Sequence, residues 1–169
     1  MFKRSILILA ASCMMYSCAN QTESNPNGVP PFDKIRLEHY EPAFLQGIEE
    51  QNANIRAIVD NTEAPDFENV IVAFDNSSPI LNRVSAIFFN MTDAETSDAL
   101  NELSIKLAPV LSEHGDNISL NQALFNKVQA VYQKKDSLNL TTEQQRLLDK
   151  TYKDFVRSGA NLSAEKQAR

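Results

Sequence analysis

Hydrophobic side chains recur along most of this chain at the three-to-four-residue spacing of one helix face, and no strand-like alternation rises above noise. The first stripe, Tyr40, Phe44, Ile48, Ile55 and Val59, predicts a helix over residues 37–60. Pro42 falls inside it and is expected in the first turn, where a missing amide is harmless. Asn61, Thr62 and Pro65 break the pattern. A second stripe begins after Asp66 with Phe67, Val70, Ile71 and Phe74, and Leu81, Val84, Phe88 and Met91 keep its phase past Pro79. One helix kinked at Pro79 and two nearly coaxial helices both satisfy that pattern.

Thr92 to Glu95 reads Thr-Asp-Ala-Glu, the form of a capping box, in which a hydroxyl and a carboxylate satisfy the first free amides of a helix. It predicts a third helix through Leu100, Leu103, Leu107 and Leu111, with Pro109 as a kink or an early end. Residues 117–121 read as a turn. Leu124, Val128, Val131 and Tyr132 mark a fourth helix. Thr141 to Gln144 is a second capping box, opening a fifth helix that carries Leu148, Tyr152 and Phe155 and that Gly159 is placed to end. Beyond it, Ser163 has the character of an N-cap, and Ala164, Glu165, Lys166 and Gln167 are good helix formers. A further helix is expected to open there and to remain unfinished at Arg169. The expected fold class is all-α, with about five to six amphipathic helices.

Composition agrees: four Gly and seven Pro are too few for a turn-rich all-β design, and 43% hydrophobic with 22% charged residues is ordinary for a globular protein. The first thirty residues stand apart. Lys3 and Arg4 precede the apolar run Ile6 to Ala11, too short to span a bilayer and suited to a signal-peptide core. Cys13 and Cys18 follow it, each after Ser, and a small residue before Cys at that place resembles the lipobox of bacterial lipoproteins. Cys18 is the preferred lipidation site and Cys13 the alternative, because apolar character continues through Met14, Met15 and Tyr16 and a polar tether follows Cys18. An ordinary secretory leader with incidental cysteines is the plainer reading. The expected organisation is a leader over 1–17, a tether over 18–30 and a helical segment over 31–169, with the cell envelope as destination. No cysteine lies beyond Cys18, so no disulfide framework is available. The formal charge of −6 becomes more negative once Lys3 and Arg4 leave, which argues against nucleic acid as a partner.

Candidate chemistry is sparse. His39 and His114 are the only histidines, each preceded by Glu, and neither belongs to an H-E-x-x-H helix that would set two imidazoles over a zinc ion. Both read as helix-surface residues. Glu49-Glu50 reads as a solvated helix face. No Gly-rich phosphate loop is present, and no serine has a marked histidine partner. Asp136-Ser137-Leu138 looks like a short site that some envelope bacteria O-glycosylate, although a helix-terminating turn explains it as well.

Three stretches carry a resemblance: Glu38 to Phe44 (EHYEPAF), Glu63 to Ser77 (EAPDFENVIVAFDNS) and Leu81 to Asn90 (LNRVSAIFFN). They resemble the beginning of the zinc oligopeptidases related to thimet oligopeptidase, and more closely their bacterial peptidyl-dipeptidase (dipeptidyl carboxypeptidase) branch. Tyr152 to Arg169 is similar to a later FxRxGAxL region of that family. Asp66 stands where the family usually has threonine, and the family's glycine near Pro79 is absent. The resemblance implies a helical enzyme of several hundred residues with two lobes around a deep channel. Zinc on the channel floor, held by H-E-x-x-H and a downstream Glu, is its cofactor, and C-terminal dipeptides of short unfolded peptides are its products. None of those zinc ligands maps onto this chain, so no catalytic, cofactor-binding or metal-binding residue is carried over. The chain is thus expected to supply channel wall from the N-terminal lobe, to stop before the catalytic region and to be inactive alone. The alternative is a stand-alone helical envelope lipoprotein that binds peptides or a protein partner.

Overall fold

A computed structural model describes residues 28–95 and 97–162. The leader, Cys13, Cys18, most of the tether and the helix expected from Ser163 lie outside the described residues. From Phe32 onward the described chain belongs to one compact unit. Its elements are α1 (Leu37–Asp60), a π-helical segment (Phe67–Val72) running into the single turn α2 (Ala73–Asp75), α3 (Pro79–Ala94), α4 (Asp98–Ser119), α5 (Gln122–Tyr132), a 3-10 turn (Lys135–Ser137) and α6 (Thr142–Arg157). The all-α expectation holds, and no strand occurs among the described residues.

Helix α1 matches the predicted span and organises the rest. Its N-terminal half buries Tyr40 and Phe44 in a small core with Val84 and Phe88 of α3 and Leu107 of α4. Its C-terminal half buries Ile55 and Ile58 in a larger core built from the π segment, α5 and α6. In the smaller core Phe88 packs edge-on against Tyr40 and Phe44, with ring centroids 4.9 and 5.5 Å away. In the larger, Tyr132 and Tyr152 stack at 3.9 Å, and contacts continue through Phe125 and Phe155 to Phe74.

Between the two cores, α1 meets α3 at Gly47. A Cβ there would stand 2.8 Å from the backbone nitrogen of Leu81 and 2.9 Å from its Cα. Only a residue without a side chain allows the two backbones to approach so closely. The contact lets Phe44 and Phe88, on either side of the crossing, close the smaller core.

Helix ends follow side-chain chemistry where a capping residue is available. Asp66 Oδ1 accepts the Asn69 amide at 2.7 Å while Asn69 Oδ1 accepts that of Asp66 at 2.8 Å, so Asp66 caps as the family's threonine would. Thr141 and Gln144 form the expected capping box. Gly159, at φ +90°, ends α6: its amide reaches the Val156 carbonyl and that of Ala160 the Phe155 carbonyl.

Four expectations are corrected. Thr92 does not open a helix: it belongs to α3, its hydroxyl donates to the Phe89 carbonyl at 2.8 Å, and Ser97 caps α4 instead. The stripe of α3 continues through Phe88 to Met91, and that packing outweighs the local capping signal. The turn expected over 117–121 shrinks to Leu120 and Asn121, because Ile118 extends the inward stripe of α4 and packs on the larger core. Asn121 then caps α5 through the Leu124 amide at 2.9 Å. Pro42 sits in the second turn of α1, and the carbonyl it leaves without an amide belongs to exposed Glu38, within reach of water. Pro109 ends nothing: α4 continues past it, and the carbonyl deprived of its donor is that of Ile105, whose side chain is 75% exposed. Across Pro79 the open alternative resolves to separate helices, with Pro79 as the first residue of α3 and Asn76 to Ser78 as the break.

Replacing Gly47 by alanine is expected to destabilise the protein by about 1–3 kcal/mol, the usual range for overpacking. Chemical denaturation of the two forms checks this, and an unchanged midpoint would show that α1 and α3 separate at no cost.

Candidate functional site

One concavity among the described residues lies along the line where the two cores part. It is a cleft of about 560 Å³ whose walls come from α1, the residues around α2, α3, α4 and α6. Phe74, Leu81, Leu111, Ile118, Leu147 and Phe155 supply its apolar surface, and Gln51, Asn82, Ser85, His114, Lys150 and Asp154 much of its polar surface.

His114 is 7% exposed, which corrects its reading as a helix-surface residue. It lies seven residues after Leu107 and four before Ile118, so the stripe of α4 turns it inward; this spacing was the available signal. Its Nε2 lies 2.7 Å from Gln51 Oε1, and the amide nitrogen of Gln51 donates to the Ser77 hydroxyl at 3.2 Å. Since that amide offers its oxygen to the ring, Nε2 carries the hydrogen and Nδ1 is left as the acceptor. Ser77 is 1% exposed, and its carbonyl accepts a 2.7 Å bond from Asn54. Next to Gln51 in the chain, Glu50 accepts the Ile80 amide at 3.1 Å. Pro79 has no amide and the Ser78 side chain makes no cap, so this carboxylate from α1 serves the α3 N-terminus. Glu50 is therefore a half-buried structural group, whereas Glu49 is exposed as expected.

Burial of the His114 ring disfavours its charged form and lowers its pKa below the ordinary histidine value. The cleft wall thus presents a neutral imidazole at neutral pH. Hydrogen bonding to a glutamine gives no base or nucleophile: Ser77 is reached only through the amide, and no carboxylate is bonded to His114.

His39 stands apart on the exposed start of α1, where its Nδ1 accepts the Arg36 amide at 3.1 Å. Zinc needs three or four converging nitrogen, sulfur or oxygen donors. Among the described residues no three His, Cys, Asp or Glu side chains are grouped to hold a metal ion, so those residues do not fit a zinc centre. Asp136 and Ser137 are exposed in the 3-10 turn between α5 and α6, and the Ser137 hydroxyl donates to the Lys134 carbonyl at 2.7 Å. No helix among the described residues is long and apolar enough to cross a membrane.

The described residues thus form two helical cores with a cleft between them. The chain's relatives among well-characterised proteins are peptidases. The chain is 42% identical over 144 residues, 85% of its length, to the dipeptidyl carboxypeptidase of Salmonella typhimurium, and 40% identical over the same length to that of Escherichia coli. It is 28% identical over 147 residues to oligopeptidase A of Haemophilus influenzae. No protein-family model matches. The chain spans about a fifth, 21%, of the length of the relatives it matches.

The depressed His114 pKa fixes a pH dependence. The unfolded ring takes up a proton near pH 6.5 and the folded ring only at lower pH, so stability is complete above that value and declines as pH falls below it. Thermal unfolding between pH 7.5 and 5.5 is expected to show falling Tm below about 6.5, and His114→Gln to flatten that slope. An equal slope in both proteins would remove His114 as its source.

Proposed function

We propose that this chain forms part of the helical wall of a zinc-dependent peptidyl-dipeptidase that removes C-terminal dipeptides from short unfolded peptides, and that it carries none of the catalytic chemistry itself. The observation that carries the reading is 42% identity to a dipeptidyl carboxypeptidase sustained over 85% of the chain. The match covers one fifth of such an enzyme, and a segment of that extent need not include its metal centre. Peptides would meet this chain as a boundary that admits extended chains and excludes folded ones. The zinc ion, its ligands and the general base would belong to a catalytic region outside the matched fifth.

In this reading the protein is held in the cell envelope by a lipid on Cys18, with Cys13 as the alternative, and the acidic chain engages no nucleic acid. The hydrophobic leader and the polar tether after Cys18 support the anchor.

Several measurements test these statements. The purified chain is expected to release no dipeptide from an acyl-tripeptide and to retain no stoichiometric zinc. Zinc-dependent turnover by these residues alone would overturn the wall-only assignment. DNA beyond the codon for Arg169 encoding H-E-x-x-H in frame would favour the peptidase over a stand-alone binding lipoprotein. Separately, cells supplied with a clickable fatty acid are expected to label the protein, and Cys18→Ala to abolish the label while Cys13→Ala leaves it intact. The reverse pattern would move the anchor to Cys13, and no label on either form would leave a plain secretory leader.

A further inference from the structure

Gly47 and Gly115 both lie inside long helices, where glycine weakens a helix relative to alanine. The backbone of Leu81 accounts for Gly47. Nothing comparable accounts for Gly115: a Cβ built there meets no atom within 4 Å. Its backbone is ordinary helix with no positive φ to require glycine. Gly115 is also one of the residues lining the cleft, beside the half-buried Leu111 and Ile118 of the same helix. The position therefore has the features of a close helix crossing, with the second helix missing.

Three further observations describe that missing helix. The cleft is open along apolar side chains of α4 and α6, Leu111, Ile118 and Leu147 among them, that only another apolar surface would cover. The buried ring of His114 lines the same wall. Of the charged side chains lining the cleft, Lys150 is already 3.2 Å from Asp154, whereas Asp75 is exposed. The unmet charge beside the cleft is negative.

We infer that Gly115 and the cleft around it seat a helix from outside the described residues, apolar along the face it presents, carrying lysine or arginine along its edges, and crossing α4 with its backbone over Gly115. The inference rests on the peptidase reading, in which this helix belongs to the peptidase body that makes up the other four-fifths of the relatives' length. The small residue permits close approach, the apolar walls are covered, and a basic edge meets Asp75. The cleft is then a joint between this segment and the catalytic body, and no substrate pocket.

Gly115 variants separate a requirement of this chain's own fold from a requirement of a partner. In the full chain alone, Gly115→Ala and Gly115→Arg are expected to melt no lower than the parent, since the site is open. A clear drop in Tm for Gly115→Ala would show that the chain itself needs the glycine and would overturn the inference. The second arm is a chimera in which this chain replaces the stretch it matches in the Salmonella typhimurium relative, assayed by dipeptide release from an acyl-tripeptide. Gly115→Arg is expected to lower its activity at least tenfold or to prevent assembly, while Ile105→Arg, at a 75%-exposed position, leaves it unchanged. Full activity with Gly115→Arg would overturn the docking inference and spare the peptidase reading. A parent chimera that fails to assemble or to turn over would instead count against the peptidase reading. Sedimentation of the chain alone provides the last outcome: a dimer abolished by Gly115→Arg would replace the peptidase body with a second copy as the occupant, overturning the inference.

Discussion

The fold depends on the crossing of α1 and α3 at Gly47. With no side chain there, Leu81 comes within van der Waals reach of the α1 backbone, and the aromatic residues on either side of the crossing meet edge to edge. Since α1 also supplies Ile55 and Ile58 to the larger core, it is the shared beam of both cores. A displacement at the crossing would therefore be felt first in the smaller core, which has five buried members among the described residues, and α1 would carry it toward the larger.

Apolar packing fixes how close the helices come, and polar groups fix how they are placed along one another. Gln51 and Asn54 hold the break before α3, Glu50 caps its N-terminus, and His114 ties α4 to the same turn of α1. These groups are buried or half-buried and mutually satisfied, and no buried side-chain donor or acceptor lacks a partner among the described residues. Satisfied buried networks specify one arrangement, because sliding by a single residue would leave several groups unpaired at once. The exposed Lys106–Glu41 pair at 2.7 Å adds little to that, since solvent screens it.

Much of this was legible in the sequence, with a physical pattern to its failures. The span of α1, the cap at Thr141 and the stop at Gly159 were readable because each depends on residues within one or two turns. Thr92 misled because a capping motif is local, while the stripe of α3 continues into the smaller core. His114 and Glu50 misled in the opposite sense. Both are polar residues beside another acid, which suggests solvent, and only a neighbouring helix gives them a buried partner. Pro109 was tolerated because the carbonyl it orphans faces water, and whether it does depends on which side of α4 is packed. The family resemblance was strong, and 42% identity to a dipeptidyl carboxypeptidase over 85% of the chain bears out the kinship, which is separate from any activity of this chain.

That separation has a structural rationale. A wall contributes to catalysis through shape, so its requirements are those of rigidity: fixed helix crossings, satisfied buried polar groups and apolar stripes that lock two cores to one beam. Such requirements are distributed over many ordinary residues, whereas a metal site concentrates its chemistry in a few unusual ones. The likeness to a dipeptidyl carboxypeptidase is accordingly spread over 85% of the chain. Exposed Ile105, Val110, Phe89 and Leu45 are scattered singly, as is ordinary for a protein surface. The cleft between the cores differs from those scattered side chains in having depth, a charge pattern and a glycine that the scaffold itself does not need.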